Sequence, residues 1–324
     1  CICTSTLLIL LLRESIMSKQ AWFFPGQGPQ TLGMLKELAT EYSIIQETFA
    51  QASQALGYDL RIVVQNDEQK LNQTHVTQPA LLAASYAIYK LLLEKEQIQP
   101  TYFAGHSLGE YSALVCAGVI GFADAVKLVE ARGQFMQQAV PIGTGAMFAI
   151  IGLDDKKVVA SCLQAKAETN EVVAAVNFNS PGQVVIAGNK KAALVAANLC
   201  KEQGAKRALP LAVSVPSHCE LMKPAADQLA NLLKDIPFNV PKIPVINNVD
   251  VAYPTDPDVI KQALVEQLYS PVRWTETVTM LAELEVETLL EVGPSKVLAG
   301  LTKRIDKRLS CIAINSVDSV NSLI

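Results

Sequence analysis

In the first half of the chain stands the heptapeptide Ala104-Gly105-His106-Ser107-Leu108-Gly109-Glu110. A short apolar run precedes it, and residues 111–117 after it have the composition of a helix. A Gly-x-Ser-x-Gly turn between a strand and a helix is the pattern of a nucleophile elbow. Its glycines permit a turn too tight for side chains, and the helix N-terminus beyond it favours negative charge. We therefore predict that Ser107 is a nucleophile; the alternative is a glycine turn with an incidental serine.

The composition is that of a globular protein with an ample core. The 324 residues have a net charge of −4, half of them are apolar, and no basic cluster stands out. We expect one large domain, or one domain with an insertion, and no nucleic-acid partner. The seven cysteines show no metal-site spacing. This pattern predicts reduced thiols in a cytoplasmic protein without a metal.

Residues 1–16 are interpreted separately from the fold. Their apolar run at 6–12 is too short to span a bilayer and lacks the flanks of a signal peptide. Met17 stands just before the first clear strand. We interpret residues 1–16 as a disordered upstream or non-native leader, and we expect no membrane partner.

The remaining chain alternates between predicted strands and helices. The strands are expected at 21–24, 102–104, 245–248, 288–292 and 311–314, and the main helices at 32–38, 42–56, 78–92, 123–138, 221–234, 258–268 and 295–305. Pro79 is expected in the first turn of its helix. The alternation predicts an open, mostly parallel α/β sheet, formed by residues 17–140 and 214–324.

Residues 141–213 have a different pattern, in which elements follow in the order β-α-β-β-α-β. The strands are expected at 147–151, 172–178, 183–187 and 207–213, with helices at 154–167 and 189–203. This is the order of a ferredoxin-like unit. We predict that residues 141–213 form a small subdomain inserted into the larger body.

Arg132 interrupts the apolar face of a predicted helix. It shares that face with Ala125, Val129 and Met136, which are spaced by three and four residues. A buried guanidinium is costly without an anionic partner, so we expect it to meet one. The alternatives are a structural ion pair and a side chain that reaches solvent.

Three histidines could act as the base that a reactive serine needs. His106 adjoins the serine and should point away from it, and His75 stands in a polar run. This leaves His218 as the favoured base; its place after the serine matches the α/β-hydrolase order. No acidic residue is an evident third member, so the group that orients His218 is left open between a main-chain carbonyl and an amide.

Six motifs, taken in order, resemble the malonyl-CoA:acyl carrier protein transacylases of bacterial fatty-acid synthesis. They are Phe24-Pro25-Gly26-Gln27-Gly28, residues 105–110, Glu130-Ala131-Arg132-Gly133, residues 177–183, Val215-Pro216-Ser217-His218 and Glu291-Val292-Gly293-Pro294. The resemblance covers about residues 20–310. It implies an α/β-hydrolase-like core with a mostly parallel sheet and an inserted ferredoxin-like subdomain.

The resemblance also implies roles for individual residues. Ser107 would attack malonyl-CoA with His218 as base, and the main-chain carbonyl of Gln267 would orient His218. Arg132 would bind the malonyl carboxylate, and Asn177 would lie near the site. The N–H groups of Gln27 and Leu108 would form the oxyanion hole. No cofactor is implied, because malonyl-CoA is the substrate and the partner carries the phosphopantetheine.

The expected partner is a holo acyl carrier protein, and the chain itself is expected to be a monomer. Carrier proteins are acidic, so a basic surface should assist their encounter. Its candidates in the insertion are Lys190, Lys191, Lys206 and Arg207, which could equally be ordinary solvated side chains. Two rival functions remain: a serine hydrolase that passes the acyl group to water, and a non-enzymatic relative that keeps the fold.

Overall fold

The computed structural model describes residues 19–95, 100–212 and 215–323. The leader at 1–16 lies outside the described residues, as does the expected junction at 213–214. Within these ranges the chain forms two sheets, one of five strands and one of four.

The larger sheet is parallel. Its strands are β1 Lys19–Phe24, β2 Tyr102–Gly105, β7 Val245–Ile246, β8 Val286–Val292 and β9 Ser310–Ile314. They lie side by side in the order β7-β2-β1-β8-β9. Successive side chains of β1 point to opposite faces: Trp22 and Phe24 join one apolar cluster, Ala21 and Phe23 the other. Both faces are therefore covered by helices, as parallel sheets require.

The helices of this larger body connect its strands. Their bounds are Lys36–Glu41, Ser43–Leu56, Leu60–Asn66, Glu68–Leu71, Thr74–Lys95, Leu108–Cys116, Phe122–Gln138, Lys223–Leu233, Pro257–Gln267, Trp274–Glu283, Val297–Ile305 and Val317–Asn321, with a 3-10 turn at Glu220–Met222. Of the seven main helices predicted for this body, five begin and end within two residues of the predicted limits.

Two helix starts were predicted wrongly. The helix expected from residue 32 begins at Lys36, because Leu35 has a left-handed backbone with φ of 60°. The helix expected from residue 78 begins at Thr74 and has Pro79 in its interior. Proline there removes one hydrogen bond to the preceding turn. The dense burial of this helix offsets that loss.

The helix Thr74–Lys95 is also long and apolar enough to cross a membrane by length and composition. However, 78% of its most apolar window is buried inside the protein. It packs in the main apolar cluster beside the helix Phe122–Gln138. The segment is accordingly a core helix in this fold.

The smaller sheet is antiparallel. It consists of β3 Gly145–Ile151, β4 Val173–Ser180, β5 Gln183–Asn189 and β6 Arg207–Pro210, with helices Asp155–Thr169 and Lys190–Glu202. The strands lie in the order β4-β5-β3-β6. If the four strands are numbered 1 to 4 along the chain, this is the order 2-3-1-4 of a ferredoxin-like unit. The last strand ends at Pro210, earlier than predicted. The predicted fold class, a mostly parallel α/β-hydrolase-like core with a ferredoxin-like insertion, is confirmed.

Candidate active site

Ser107 lies on a sharp turn between β2 and the helix Leu108–Cys116. Its φ of 52° and ψ of −111° are costly for a residue with a side chain. The turn depends on both flanking glycines. A Cβ on Gly105 would lie 1.9 Å from the main chain of Gly109, and one on Gly109 would lie 1.9 Å from the carbonyl oxygen of Phe24. Glycine is required at both positions by close backbone approach, as the motif predicted.

Asn248, just after β7, holds this turn in place. Its Oδ1 accepts the N–H of Ser107 at 2.7 Å, and its Nδ2 donates to the carbonyl oxygen of Gly105 at 2.7 Å. This residue was not predicted from the sequence. Its two hydrogen bonds to the backbone of the strained turn give that turn a fixed geometry.

His218 lies against the nucleophile. Its Nε2 is 2.8 Å from the Oγ of Ser107, and its Nδ1 is 2.7 Å from the main-chain carbonyl oxygen of Gln267. This second contact joins the two groups that the resemblance paired. Burial, and next the charge of Arg132, lower the pKa of His218 to about 3. The imidazole is therefore neutral at physiological pH, the state in which it can accept a proton.

Arg132 is completely buried, as its position in the apolar stripe predicted. Its Nη1 donates to Gln78 Oε1 at 2.9 Å and contacts the sulfur of Met136 at 3.3 Å, while its Nη2 donates to Gln267 Oε1 at 3.0 Å. The guanidinium lies 5.2 Å from the ring centre of Tyr111. Among the described residues no carboxylate forms an ion pair with Arg132.

Gln78 reaches Arg132 because two helices approach closely. Gly133, next to the arginine, faces the backbone of the helix Thr74–Lys95, and a Cβ there would lie 2.5 Å from the Cα of His75. Gln78 follows one turn later on the same helix. Its contact with Arg132 was not predicted, since no local pattern pairs residues 54 positions apart.

The side chain of Gln267 connects the nucleophile to the guanidinium. Its Nε2 donates to the carbonyl oxygen of Ser107 at 3.1 Å and to Glu110 Oε2 at 2.8 Å. Glu110 is buried and also accepts the N–H of Asn248 at 2.9 Å. Burial raises the pKa of Glu110 to about 7, although these hydrogen bonds oppose the shift. No role of Glu110 was predicted from the sequence.

Leu108 directly follows the nucleophile, and Gln27 follows Gly26, where an added Cβ would lie 2.5 Å from the carbonyl oxygen of His106. Neither the N–H of Leu108 nor that of Gln27 donates to another residue in the part of the chain that the structure describes. The N–H of Leu108 begins a helix, where the backbone dipole favours an anion. The exposed side chain of Gln27 accepts a 3.3 Å hydrogen bond from Gln78.

Asn177 lies where the smaller sheet contacts the larger body, but among the described residues no hydrogen bond joins its side chain to the site. It pairs in an isolated bridge with Val272, and its buried Oδ1 has no partner within the described ranges. The amide that reaches the nucleophile turn belongs to Asn179, whose Oδ1 is 2.8 Å from His106 Nε2. The subdomain therefore contacts the residue beside the nucleophile.

The four basic residues of the insertion are all exposed, but they do not form one cluster. The main chain of Lys190 donates to Thr144 at one end of β3, whereas that of Lys206 donates to Ile151 at the other end. Arg207 pairs with Ile151 in the sheet. A strand of this length separates the pairs by roughly 20 Å. Lys190 and Lys191 are thus one surface, and Lys206 and Arg207 another.

The described residues contain no group of three or more His, Cys, Asp or Glu side chains that could hold a metal ion. The site's charged and polar groups are instead an arginine, a carboxylate, amides and histidines. Together they can activate a serine, stabilise an oxyanion and receive a substrate carboxylate. These are the requirements of acyl transfer from, or hydrolysis of, an ester or thioester that carries a carboxylate.

Comparison with known proteins agrees with this geometry. The model of the family described as "Acyl transferase domain" matches residues 21–316. The chain belongs to this acyl transferase family. It is 64% identical over 309 residues to the malonyl CoA-acyl carrier protein transacylase of Haemophilus influenzae, covering 95% of this chain and 98% of the relative. It is 60% identical over 300 residues to that of Escherichia coli K12, with 92% and 96% covered.

Solved structures of acyl transferases show the same fold. An acyl carrier protein S-malonyltransferase from Vibrio cholerae aligns with a TM-score of 0.92 at 61% identity, covering 95% of this chain and all of the other. A malonyl-transacylase described in complex with a type II polyketide acyl-carrier protein aligns with a TM-score of 0.93 at 57% identity, with 94% and 98% covered. The family predicted from six sequence motifs is confirmed.

Proposed function

We propose that this protein transfers the malonyl group of malonyl-CoA to the phosphopantetheine thiol of an acyl carrier protein, through a malonyl ester on Ser107. The observation that carries the proposal is the side chain of Gln267. It hydrogen-bonds the main chain of the nucleophile at 3.1 Å and the guanidinium of Arg132 at 3.0 Å. The hydroxyl of Ser107 and the guanidinium of Arg132 therefore lie on either side of one amide side chain. A malonyl group needs such a pair, because its thioester carbonyl must meet the hydroxyl while its carboxylate meets the guanidinium.

In the first half-reaction His218 Nε2 takes the proton of the Ser107 hydroxyl as the oxygen attacks the thioester carbonyl. The N–H groups of Leu108 and Gln27 stabilise the oxyanion. As the tetrahedral intermediate collapses, the carbon–sulfur bond breaks and His218 returns the proton to the CoA thiolate. The serine then carries the malonyl ester. The reaction uses no cofactor in this scheme.

Arg132 recognises the free carboxylate of the malonyl group. A guanidinium has five N–H donors, and three of them contact Gln78, Met136 and Gln267. The Nε–H and one N–H of Nη2 remain for a carboxylate, and Nε has no other partner among the described residues. Because Arg132 is wholly buried, a covering side chain must move first. We expect that side chain to be Gln78, which also contacts exposed Gln27.

In the second half-reaction the carrier thiol gives its proton to His218 and attacks the malonyl ester, and Ser107 leaves with that proton.

We propose that the acidic carrier protein docks over Lys190 and Lys191. These residues adjoin Thr144, and the next residue, Gly145, packs against Pro216 close to His218. Lys190→Glu with Lys191→Glu should raise the KM for the carrier at low salt. The matched pair Lys206→Glu with Arg207→Glu should not, and the opposite result would move the docking surface to the other end of β3.

Three further assignments accompany this function. We propose that residues 141–213 act as a subdomain on a core formed by 17–140 and 214–324. Hydrogen bonds between the two bodies, such as that from Thr275 to the carbonyl oxygen of Phe178, fit this division. We also propose that the protein is a monomer and that it is cytoplasmic. The five free cysteines of the described chain are consistent with the reducing conditions of the cytoplasm.

The test of this function is to incubate the protein with malonyl-CoA and measure its intact mass, then identify the modified peptide. We expect one malonyl increment on the peptide that contains Ser107, and its loss when a holo carrier protein is added. Free malonate forming faster than malonyl-carrier would indicate a hydrolase. No increment in the intact protein would indicate a non-enzymatic relative.

A further inference from the structure

A buried carboxylate lies close to the site, although the mechanism above does not use it. Glu110 is 2% exposed and lies one turn after the nucleophile on the helix Leu108–Cys116. Its Oε2 accepts two hydrogen bonds, from the main chain of Asn248 and the side chain of Gln267. Burying a carboxylate is costly, so its presence beside a buried arginine needs a reason.

The contacts of Gln267 supply that reason. An amide side chain has a donating and an accepting end, and its neighbours decide which way it points. The carbonyl oxygen of Ser107 and the carboxylate of Glu110 both accept, so the Nε2 of Gln267 must face them. The Oε1 is then turned toward Arg132, whose Nη2 donates to it at 3.0 Å. If the amide were reversed, two donors would face each other.

Glu110 does not pair with the guanidinium directly, and this separation matters for binding. A carboxylate on Arg132 would occupy the donors that a substrate carboxylate needs. With Gln267 between them, Glu110 places an acceptor against one N–H of Nη2 and leaves the Nε–H without a partner among the described residues. Tyr111, the neighbour of Glu110 in sequence, presents its ring to the same guanidinium.

We infer that Glu110 is a positioning residue for substrate selection: through the side-chain amide of Gln267 it orients Arg132 to receive carboxylated acyl thioesters. This inference rests on the proposed function, because it assumes that Arg132 binds the malonyl carboxylate. It adds a second role to Gln267. The main-chain carbonyl of that residue holds the base, and its side chain holds the guanidinium. The two parts of Gln267 can be tested separately, because substitution changes only the side chain.

The experiment compares kcat/KM for malonyl-CoA and acetyl-CoA in Glu110→Gln. Glutamine has the same size and can still accept from Asn248, but it is uncharged and can also donate, so it fixes the orientation of Gln267 less firmly. We expect the malonyl-to-acetyl ratio to fall by about tenfold, the loss that corresponds to one hydrogen bond to a charged group. The matched control is Glu291→Gln. Glu291 is equally buried, but it accepts its hydrogen bond from the N–H of Ala299. This control should leave the ratio unchanged.

A second variant, Gln267→Met, removes the amide and keeps the main-chain carbonyl, so it tests the same connection without touching Glu110. It should lower the ratio at least as much as Glu110→Gln. Because Glu110 acts through Gln267, the double variant should be no worse than Gln267→Met alone. Losses that add would mean that Glu110 acts by another route, and an unchanged or raised ratio in either single variant would overturn the inference.

Failure of this inference is distinguishable from failure of the proposed function. If the protein did not transfer malonyl groups, the unmodified chain would form no malonyl ester on Ser107. If only the inference were wrong, a variant would still form that ester and keep the original selectivity. Thermal unfolding of each variant, measured alongside, separates a selectivity change from a loss of folded protein.

Discussion

The Nδ1 of His218 lies 2.7 Å from the main-chain carbonyl oxygen of Gln267. In a Ser-His-Asp triad the corresponding acceptor is a carboxylate. A carbonyl fixes the imidazole in one tautomer and directs the Nε2 lone pair to the serine, as a carboxylate does. It adds no full negative charge to stabilise the protonated ring. Burial, and next the charge of Arg132, therefore keep the pKa of His218 low, and the hydrogen bond to this carbonyl opposes the shift only in part.

The first prediction concerns the pH dependence of Ser107 reactivity. Only neutral imidazole can accept the serine proton, and the pKa of His218 is lowered from 6.5 to about 3. An uncharged sulfonyl fluoride should therefore label Ser107 at a nearly constant rate as the pH falls from 7 to about 5. The control His218→Gln should react slowly at every pH. A midpoint at 6.5 or above in the unmodified protein would show that its imidazole titrates like a solvated one.

The second prediction uses the strained backbone of Ser107. Glycine adopts a positive φ without steric cost, so Ser107→Gly should raise the free energy of unfolding by about 1 kcal/mol, after the entropic cost of glycine. Ser107→Ala keeps a Cβ and hence the strain, and its stability should match that of the unmodified protein. Neither variant should form an acyl ester. Thermal unfolding decides the matter, since a lower Tm for Ser107→Gly would mean that this conformation stores no strain.

The third prediction concerns the glycine after the nucleophile. In Gly109→Ala the new methyl group would lie 1.9 Å from the carbonyl oxygen of Phe24, so β1 and the helix would have to separate. We expect a loss of about 3 kcal/mol or more in the free energy of unfolding. The matched control is Gly300→Ala, which lies inside a helix with no atom within 4 Å of the added Cβ. It should stabilise the protein by about 0.5–1 kcal/mol. Equal effects in denaturant titrations would show that the tight turn can relax.

The fourth prediction concerns the shape of the guanidinium. Lysine keeps the charge of Arg132 but cannot bind Gln78, Gln267 and a carboxylate through one planar group. In Arg132→Lys, kcat/KM for malonyl-CoA should fall by about a hundredfold, while that for acetyl-CoA should change much less. Arg304→Lys, at an exposed arginine bound to Gln183, is the control. If Arg132→Lys kept the malonyl-to-acetyl ratio, the carboxylate would have to bind elsewhere.

Residues that carry a local signal could be predicted from the sequence. Ser107 stands in a glycine-flanked turn, Arg132 interrupts an apolar helical face, and His218 is one of only three histidines. In the structure these residues form one site: Ser107 Oγ is 2.8 Å from His218 Nε2, and Arg132 Nη2 is 3.0 Å from Gln267 Oε1. The roles assigned to them remain predictions.

The connecting residues could not be predicted in the same way. Glu110 meets Asn248 and Gln267 across 138 and 157 positions, and a hydrogen bond between such distant residues leaves no periodic pattern in the sequence. Glu110 is the charged residue of the helix that follows the nucleophile, and this position could have indicated a buried carboxylate with partners nearby. The predicted start of the helix around Pro79 was wrong for a different reason. Tertiary packing outweighed the local preference of proline for the first turn of a helix.

The neutral acceptor behind His218 also bears on the choice between a thiol and water as the attacking group. An imidazole with a depressed pKa is a weak base. A thiol has a pKa of about 8.5 and is partly ionised without help, whereas water, at about 15.7, depends strongly on its base. A feeble proton acceptor therefore slows hydrolysis of the ester far more than its thiolysis. Chemoselectivity for sulfur nucleophiles would then arise from acidity, even where solvent can reach the ester.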